Sequence, residues 1–275
     1  MLVRRKRTIV TLVLTLFIAD LCLNTISSAT ISKPQVAVGD YWNYEGYYYG
    51  ANINGIVKIT ERTNITVENE IYDVFIEITN ISGVGSYNVS VYHNITTYYR
   101  ASDYAIVNLI DCFDYSSDFA NVSYTHECAY SPPNDIMQYP INVGEKWHNQ
   151  YTLKTINLET LNVSESTKNE YSECERDDSE SAAGIDFYCH VVKKAESEEE
   201  QSNYTRMWFS STVGLEPVKI VGYLYGQTVV SLILSSYNIA NPVEPEENGK
   251  TSTPGFELII VAIAIVFVIL LKRKR

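Results

Sequence analysis

The middle of the chain alternates apolar and polar residues with a period of two. The alternation runs through Ile71–Thr79, Asn88–Thr96 and Ile185–Val191. Successive side chains of a strand point to opposite faces, so this pattern predicts strands with one buried and one wet face, as in antiparallel sheets. In the first segment it places Glu77 on the wet face. Turn sequences such as Asn54-Gly55 predict hairpins between the strands.

An apolar run without alternation lies near the start of the chain. Ile9–Leu23 follows the basic cluster Arg4–Arg7 and precedes small residues. This order is typical of a secretory signal peptide, which we predict to span residues 1–29 with cleavage after Ala29. A lipid-attachment role for Cys22 is a weaker alternative, because the residues before it are not small.

A second apolar run ends the chain. Leu258–Leu271 contains no polar side chain and precedes the basic cluster Lys272–Arg275. We predict a membrane-spanning helix over 256–275 and, before it, a Pro-rich acidic stalk over 241–255. The apolar helix would be roughly 24 Å long, short for a hydrocarbon core of about 30 Å. Basic clusters outside both apolar runs predict that everything between them is exported.

Two sequence blocks recur in the same order along the exported part. Val38–Trp42 resembles Val143–Trp147, 105 residues later, and Asn94–Tyr99 resembles Asn203–Trp208, 109 residues later. Matching blocks at a nearly constant offset indicate an internal repeat.

We therefore predict a mainly β protein with two homologous units over residues 30–133 and 134–240. Each unit would be a strongly curved antiparallel sheet, an open barrel or meander. Tryptophans would anchor the two cores, with ligand stacking as their alternative role. These tryptophans are Trp42, Trp147 and Trp208.

Four cysteines remain after removal of the signal peptide, two in each predicted unit. An even number in an exported chain favours disulfides, and spacing favours the pairs Cys112–Cys128 and Cys174–Cys189. The alternative is a metal site that joins His126-Glu127-Cys128 to Cys189-His190, although zinc ligands usually lie closer together in sequence.

The exported part also contains N-glycosylation acceptor sequences (sequons), which predict N-glycans. In Asn88–Thr96 the sequon asparagines fall on the wet face of the strand. The seven sequon residues are Asn64, Asn80, Asn88, Asn94, Asn121, Asn162 and Asn203.

Charge and motifs narrow the classes of function. The formal net charge is −12, which argues against nucleic-acid binding. Acidic runs at Glu170–Glu180 and Glu196–Glu200 lack the spacing of a calcium loop and are read as solvated surface. His93 is expected to be a hydrogen-bonded core residue. No catalytic or cofactor motif is present, so we predict no cofactor and no enzyme activity.

The C-terminal tail resembles the Pro-Gly-Phe sorting tails (PGF-CTERM) of archaeal surface proteins. The resemblance rests on Pro254, Gly255 and Phe256 ahead of the short apolar helix and the basic cluster. It implies that an archaeosortase-type enzyme removes the tail and that a membrane lipid replaces it.

The repeats loosely resemble prokaryotic secreted and lipoprotein β-domains that open on a V-G-x-x-W strand. Those domains are similar in outline to the open, curved sheets of lipoprotein carriers. The first repeat departs from the pattern, because Asp103-Tyr104-Ala105 stands where the second has Thr212-Val213-Gly214. The resemblance implies a fold and no activity.

These observations predict a non-enzymatic, N-glycosylated archaeal surface protein, held at the membrane by its C-terminus. Other envelope or S-layer components would be its partners. The first alternative is a module that binds a lipid or another apolar solute, and the second, less favoured one is an extracellular hydrolase. A continuous apolar cavity inside the sheets would support binding, whereas filled interiors would support a structural role.

Overall fold

The computed structural model describes residues 30–240. The predicted signal peptide, stalk and membrane segment lie outside these residues. Within residues 30–240 no helix is long and apolar enough to cross a membrane.

The described chain forms twelve β-strands, as the alternating pattern predicts. Each strand pairs antiparallel with the next strand in sequence, so the sheet is a meander. The strands are β1 (Tyr41–Tyr48), β2 (Ala51–Val67), β3 (Glu70–Gly85), β4 (Ser90–Arg100), β5 (Ile106–Ser116), β6 (Asn121–Asn134), β7 (Lys146–Asn157), β8 (Val163–Ala182), β9 (Ile185–Ala195), β10 (Tyr204–Phe209), β11 (Lys219–Leu224) and β12 (Gln227–Asn238).

The first and last strands close the meander into one barrel. β1 pairs with β12 from Tyr41↔Asn238 to Tyr48↔Val230, and β6 pairs with β7 where the two repeats meet. The prediction of two separate open sheets is therefore wrong. Each six-stranded half satisfies its outer strands by pairing with the other half, so no sheet edge is left open.

The repeat is nevertheless visible in the backbone. Each half contributes six strands, and the turn before the first strand of each half makes the same contacts. The Gly39 N–H donates to the Ile59 carbonyl at 2.8 Å, and the Gly144 N–H donates to the Cys174 carbonyl at 2.8 Å. Both glycines adopt positive φ, 102° and 85°, which favours glycine at this position.

The barrel has a closed end, where β1 begins, and an open end, where β1 ends. Three segments fill the closed end: residues 30–40, 135–145 and 210–218. The loop over 210–218 is tied to the core, because its Val213 is fully buried and the Val213 carbonyl accepts a hydrogen bond of 2.7 Å from Trp42 Nε1. The open end carries only the connections between consecutive strands.

The distal part of the β8–β9 hairpin covers the outer face of β10–β12. Trp208 is buried there, and its Nε1 donates to Asp178 at 3.1 Å. Glu180 accepts from Lys219 at 2.9 Å. Trp208 therefore packs between barrel and hairpin. It belongs with Trp42 to the larger hydrophobic cluster, whereas Trp147 is buried in the second one.

The structure contradicts both predicted disulfides, since all four cysteines described are free thiols. In the pairing of β5 with β6, Cys112 lies opposite Thr125 and Cys128 opposite Leu109. The two cysteines are thus three positions apart along the ladder and point to opposite faces of the barrel wall.

The second pair is separated in the same way. Cys174 lies opposite Val192, three residues from Cys189, with a bulge in β8 between them. Cys174 packs in the cluster that contains Trp147, whereas Cys189 packs in the cluster that contains Trp42. Burial raises the pKa of both thiols to about 12, so they are inert in the native protein.

We predict that reduction leaves the mass of the native protein unchanged. Alkylation under native conditions should spare Cys174 and Cys189, which are fully buried, while alkylation in denaturant should label all four described positions. Peptide mapping by mass spectrometry measures both. A gain of two mass units per pair on reduction would contradict the strand register described above.

Candidate binding site at the open end of the barrel

The open half of the barrel contains two adjoining cavities of about 600 and 570 Å³. Tyr49 and Val229 line both, so the cavities lie on either side of these two residues. We call the two cavities together the chamber. Each is of the size that ordinary small-molecule sites have in proteins.

A chain of hydrogen bonds crosses the first side of the chamber. The Tyr48 hydroxyl lies 2.7 Å from His93 Nδ1, and His93 Nε2 lies 2.7 Å from Asp111 Oδ1. The Tyr124 hydroxyl donates to Asp111 Oδ2 at 3.3 Å. A neutral imidazole that accepts from Tyr48 and donates to Asp111 satisfies every group in this chain.

This network fixes side chains instead of offering free acid–base groups. Burial raises the pKa of Tyr48 well above its usual value and that of Tyr124 to about 12, so both phenols stay neutral. The expectation that His93 is a hydrogen-bonded core residue is confirmed. Aromatic rings surround it, including Phe113 at 5.1 Å between centroids.

The second side of the chamber combines apolar side chains with charged ones. Tyr151 lines this cavity together with Met207. Lys194 Nζ lies 2.7 Å from Glu170 Oε1, and both side chains are largely buried. Two further charged residues, Lys168 and Glu196, line the same cavity.

The stacked rings of Tyr204 and Tyr223, with centroids 4.5 Å apart, lie on the outer face of this wall. In the pairing of β10 with β11 they share the face of Trp208, and the cationic groups of Lys193 and Arg206 contact the Tyr204 ring there.

Below the chamber the barrel is filled, and it encloses two carboxyl groups. Glu77 is 3% exposed and shares a hydrogen bond with Glu216 of the loop 210–218. The prediction that Glu77 faces water is wrong: its face of β3 is the barrel interior. Burial raises the pKa of Glu77 above its usual range and that of Glu216 to about 7. Protonation lets the two carboxyls lie together.

The metal alternative does not assemble. His126 faces inward and stacks on Tyr124, with centroids 4.6 Å apart, while Cys189 lies on the outer side of the wall. His190 is fully buried beside Asp177, at 2.6 Å. Among residues 30–240 no three His, Cys, Asp or Glu side chains are placed to hold one ion.

The predicted acidic runs have structural roles. Glu170 lies in the chamber wall, and Glu180 bonds Lys219. In the β9–β10 connection, Glu200 accepts hydrogen bonds from the Ser202 hydroxyl and from the backbone of Ser202 and Asn203, which lower its pKa to about 2. These hydrogen bonds to Glu200 close the turn between β9 and β10.

The sequons fall into two classes. Asn80 and Asn94 lie opposite each other in the middle of the barrel wall, half-buried, and Asn94 donates to Asn80. The other five are exposed, as a glycan requires, and four of them lie at the open end. The exposed five are Asn64, Asn88, Asn121, Asn162 and Asn203.

Sequence reasoning missed the chamber and its polar chain. The run Tyr47-Tyr48-Tyr49 between two glycines was the available signal, since three consecutive tyrosines at a strand end place aromatic rings at a rim. Asp111 gave no local signal, because its partner His93 lies on the neighbouring strand.

Comparison with known proteins adds little. No protein-family profile matches the sequence, and no curated protein matches it either. A crystal structure described as that of a "putative lipoprotein" from Parabacteroides distasonis aligns with 77% of this chain and all of its own, at 15% identity and a TM-score of 0.35. At this score the alignment supports no inference.

The buried carboxyl pair predicts an unusual dependence of stability on pH. Glu216 titrates near 4.5 when unfolded and at about 7 when folded, so the native state binds the proton more tightly. The free energy of unfolding should therefore fall between about pH 4.5 and 7, by at most about 3 kcal/mol. Thermal denaturation across this range measures it.

The variant Glu216→Gln should reduce this dependence, because an amide does not ionise, while the buried Glu77 retains its own raised pKa. The exposed Glu159→Gln is the matched control and should retain the slope. Stability that rises with pH in the unmodified protein over the same range would contradict the protonated pair.

Proposed function

We propose that the protein is a non-enzymatic cell-surface protein that binds a lipid or another largely apolar solute in the open end of its barrel. The chamber carries this proposal. A purely structural barrel has no need of an unfilled half, and the closed half shows that this sequence can pack its interior with large side chains such as Trp42, Ile59 and Leu234.

The chemistry of the wall indicates what kind of ligand fits. Apolar and aromatic side chains such as Tyr151, Met207 and Phe113 bury apolar surface of a ligand. Tyrosine hydroxyls, the ion pair Lys194–Glu170 and the charged Lys168 offer a few polar contacts beside them. A molecule with an apolar body and a few polar groups fits this wall.

The same wall supports a role without catalysis. Burial raises the pKa of Tyr48 and Tyr124, so neither phenol beside His93 ionises to a nucleophile at neutral pH. The carboxyl pair Glu77 and Glu216 lies below the chamber in the packed half. A hydrolase would need such groups to face the ligand.

N-glycosylation and a C-terminal membrane anchor complete the proposal. Five sequons are exposed, and the described chain ends at the closed end, where Ala240 N–H donates to Asp40 at 2.7 Å.

The tail suggests how the anchor is made. Pro254, Gly255 and Phe256 support processing by an archaeosortase-type enzyme in an archaeal envelope, where envelope or S-layer components would be neighbours. Intact mass of the mature protein tests this part separately. A chain that still ends at Arg275 would refute processing and leave ligand binding untouched.

Titration of the full-length protein with Nile red, a neutral apolar dye, tests the chamber. We expect saturable binding, weakened about tenfold by Tyr151→Ala, because the variant removes an aromatic ring that lines the chamber. Tyr92→Ala is the matched control, since Tyr92 is exposed on the outer face of β4.

Equal effects of Tyr151→Ala and Tyr92→Ala, or no saturable binding, would refute a binding chamber and favour a structural envelope role. Native mass spectrometry of the protein from its own membrane supplies a second measurement. A retained apolar compound, lost in Tyr151→Ala, would identify the ligand.

A further inference from the structure

The most exposed apolar side chains of the barrel are concentrated at its open end. Within residues 30–240, six large apolar residues are at least 70% exposed, and five of them lie on or beside the turns at the open end. The six are Ile71 (75%), Val84 (71%), Tyr87 (70%), Phe119 (83%), Leu161 (73%) and Tyr225 (81%). Exposure on this scale usually marks a surface that something covers.

At the open end, each of these side chains lies beside an exposed sequon asparagine. Tyr87 directly precedes Asn88, and Leu161 directly precedes Asn162. Phe119 lies two residues before the sequon residue Asn121 in the β5–β6 turn.

The other two exposed apolar side chains at the open end, Tyr225 and Val84, lie near a sequon in space. The backbone N–H of Tyr225 donates to Asn203 Oδ1 at 2.9 Å, across two different turns. This hydrogen bond uses the side-chain oxygen of Asn203. The side-chain nitrogen, which is the atom that would carry a sugar, takes no part in it. Val84 pairs with Ser90 next to the Asn88 turn.

The fifth exposed sequon shows the same arrangement away from the open end. Asn64 pairs with Asp73, and Ile71 pairs with Thr66 of the same hairpin. Ile71 and Asn64 are therefore diagonal neighbours on one face of the sheet. The two half-buried sequons, Asn80 and Asn94, have none of the six beside them.

We propose that these apolar side chains are the seats on which the first sugars of the N-glycans pack. The five seats at the open end, beside four sequons, then form a glycan collar around the mouth of the chamber. The proposal rests on the glycosylation in the proposed function. It goes further, because it assigns the exposed apolar residues a ligand, namely the protein's own carbohydrate.

The chemistry suits a sugar. One face of a pyranose ring presents mainly C–H groups, and packing this face on an aromatic or aliphatic side chain removes apolar surface from water. A linkage at the neighbouring asparagine supplies the sugar at high effective concentration, so even a weak contact is occupied.

The local backbone supports the placement at Asn88. Tyr87 and Asn88 both adopt positive φ, 58° and 54°, in a two-residue turn closed by Val89 N–H to Ser86 O at 3.2 Å. Asn88 Nδ2 also donates to Asp118 at 2.7 Å, a hydrogen bond that the one N–H remaining on a glycosylated amide can keep. The ring of Phe119 lies 6.0 Å from that of Tyr87.

The negative charge of the open end disfavours two other occupants of this surface, an anionic membrane and a second copy of the chain. The β9–β10 connection at the same end carries Glu198, Glu199 and Glu200, and the protein as a whole is acidic. An anionic membrane or a second copy of the chain would meet like charge at the open end. A glycan attached at the site meets no such barrier.

A mutant cycle in the full-length, glycosylated protein tests the seat at Tyr87. Ser90→Ala removes the sequon of Asn88 and keeps the asparagine. Tyr87→Ser should lower the Tm by about 2–4 °C in the glycosylated background and by much less in the Ser90→Ala background. Ile185→Ser, at an exposed apolar residue without a neighbouring sequon, should have the same effect in both.

Mass spectrometry of each variant reports whether Asn88 carries a glycan. An occupied Asn88 with equal effects of Tyr87→Ser in both backgrounds would overturn the seat alone. An unmodified Asn88 would overturn the seat together with the glycosylation on which it rests. Nile red binding reports the chamber separately, because Tyr87 does not line it.

Discussion

The width of a twelve-stranded barrel is the constraint on which the rest of the structure depends. Eight strands enclose a space that side chains alone can fill, whereas sixteen leave a channel. Twelve lie between these limits, so something besides the wall must occupy the interior. At the closed end the inserted loop 210–218 and the segment 135–145 supply the missing volume, with Val213 and Met137 buried among wall residues. No equivalent insertion occupies the open end, and the chamber is the result.

Much of the wall could be predicted from the sequence, because strands obey a local rule. The period of two placed Val89 and Val91 inside and Asn88 outside, as the structure has them. Closure follows no local rule. Trp42 and Val213, which contact each other in the closed barrel, lie 171 residues apart in sequence. A six-stranded half shows the same alternation of apolar and polar residues whether it closes on its own or pairs with the other half. The repeat was therefore visible, whereas its joining into one barrel was not.

The errors at Glu77 and at the cysteines have related causes. From the sequence, Glu77 was assigned to the solvent-exposed face of its strand. In the barrel Glu77 is buried beside Glu216 of the loop 210–218, and the two carboxyls can share a proton. The cysteine spacing of about fifteen residues suits a hairpin. Whether two residues of a hairpin face each other depends on register, and a shift of one position reverses the face. Cys174 and Cys189 are separated by such a shift at a bulge.

The two repeats have also diverged where the chamber lies. Asn94 and Asn203 occupy corresponding positions, yet Asn94 is in the middle of a long strand and Asn203 precedes a short one. Because β10 begins only at Tyr204, the wall is lower on that side and Asn203 lies at its rim. The taller first half instead holds the buried chain through His93. A shortened strand thus moves one sequon to the rim and opens one side of the chamber.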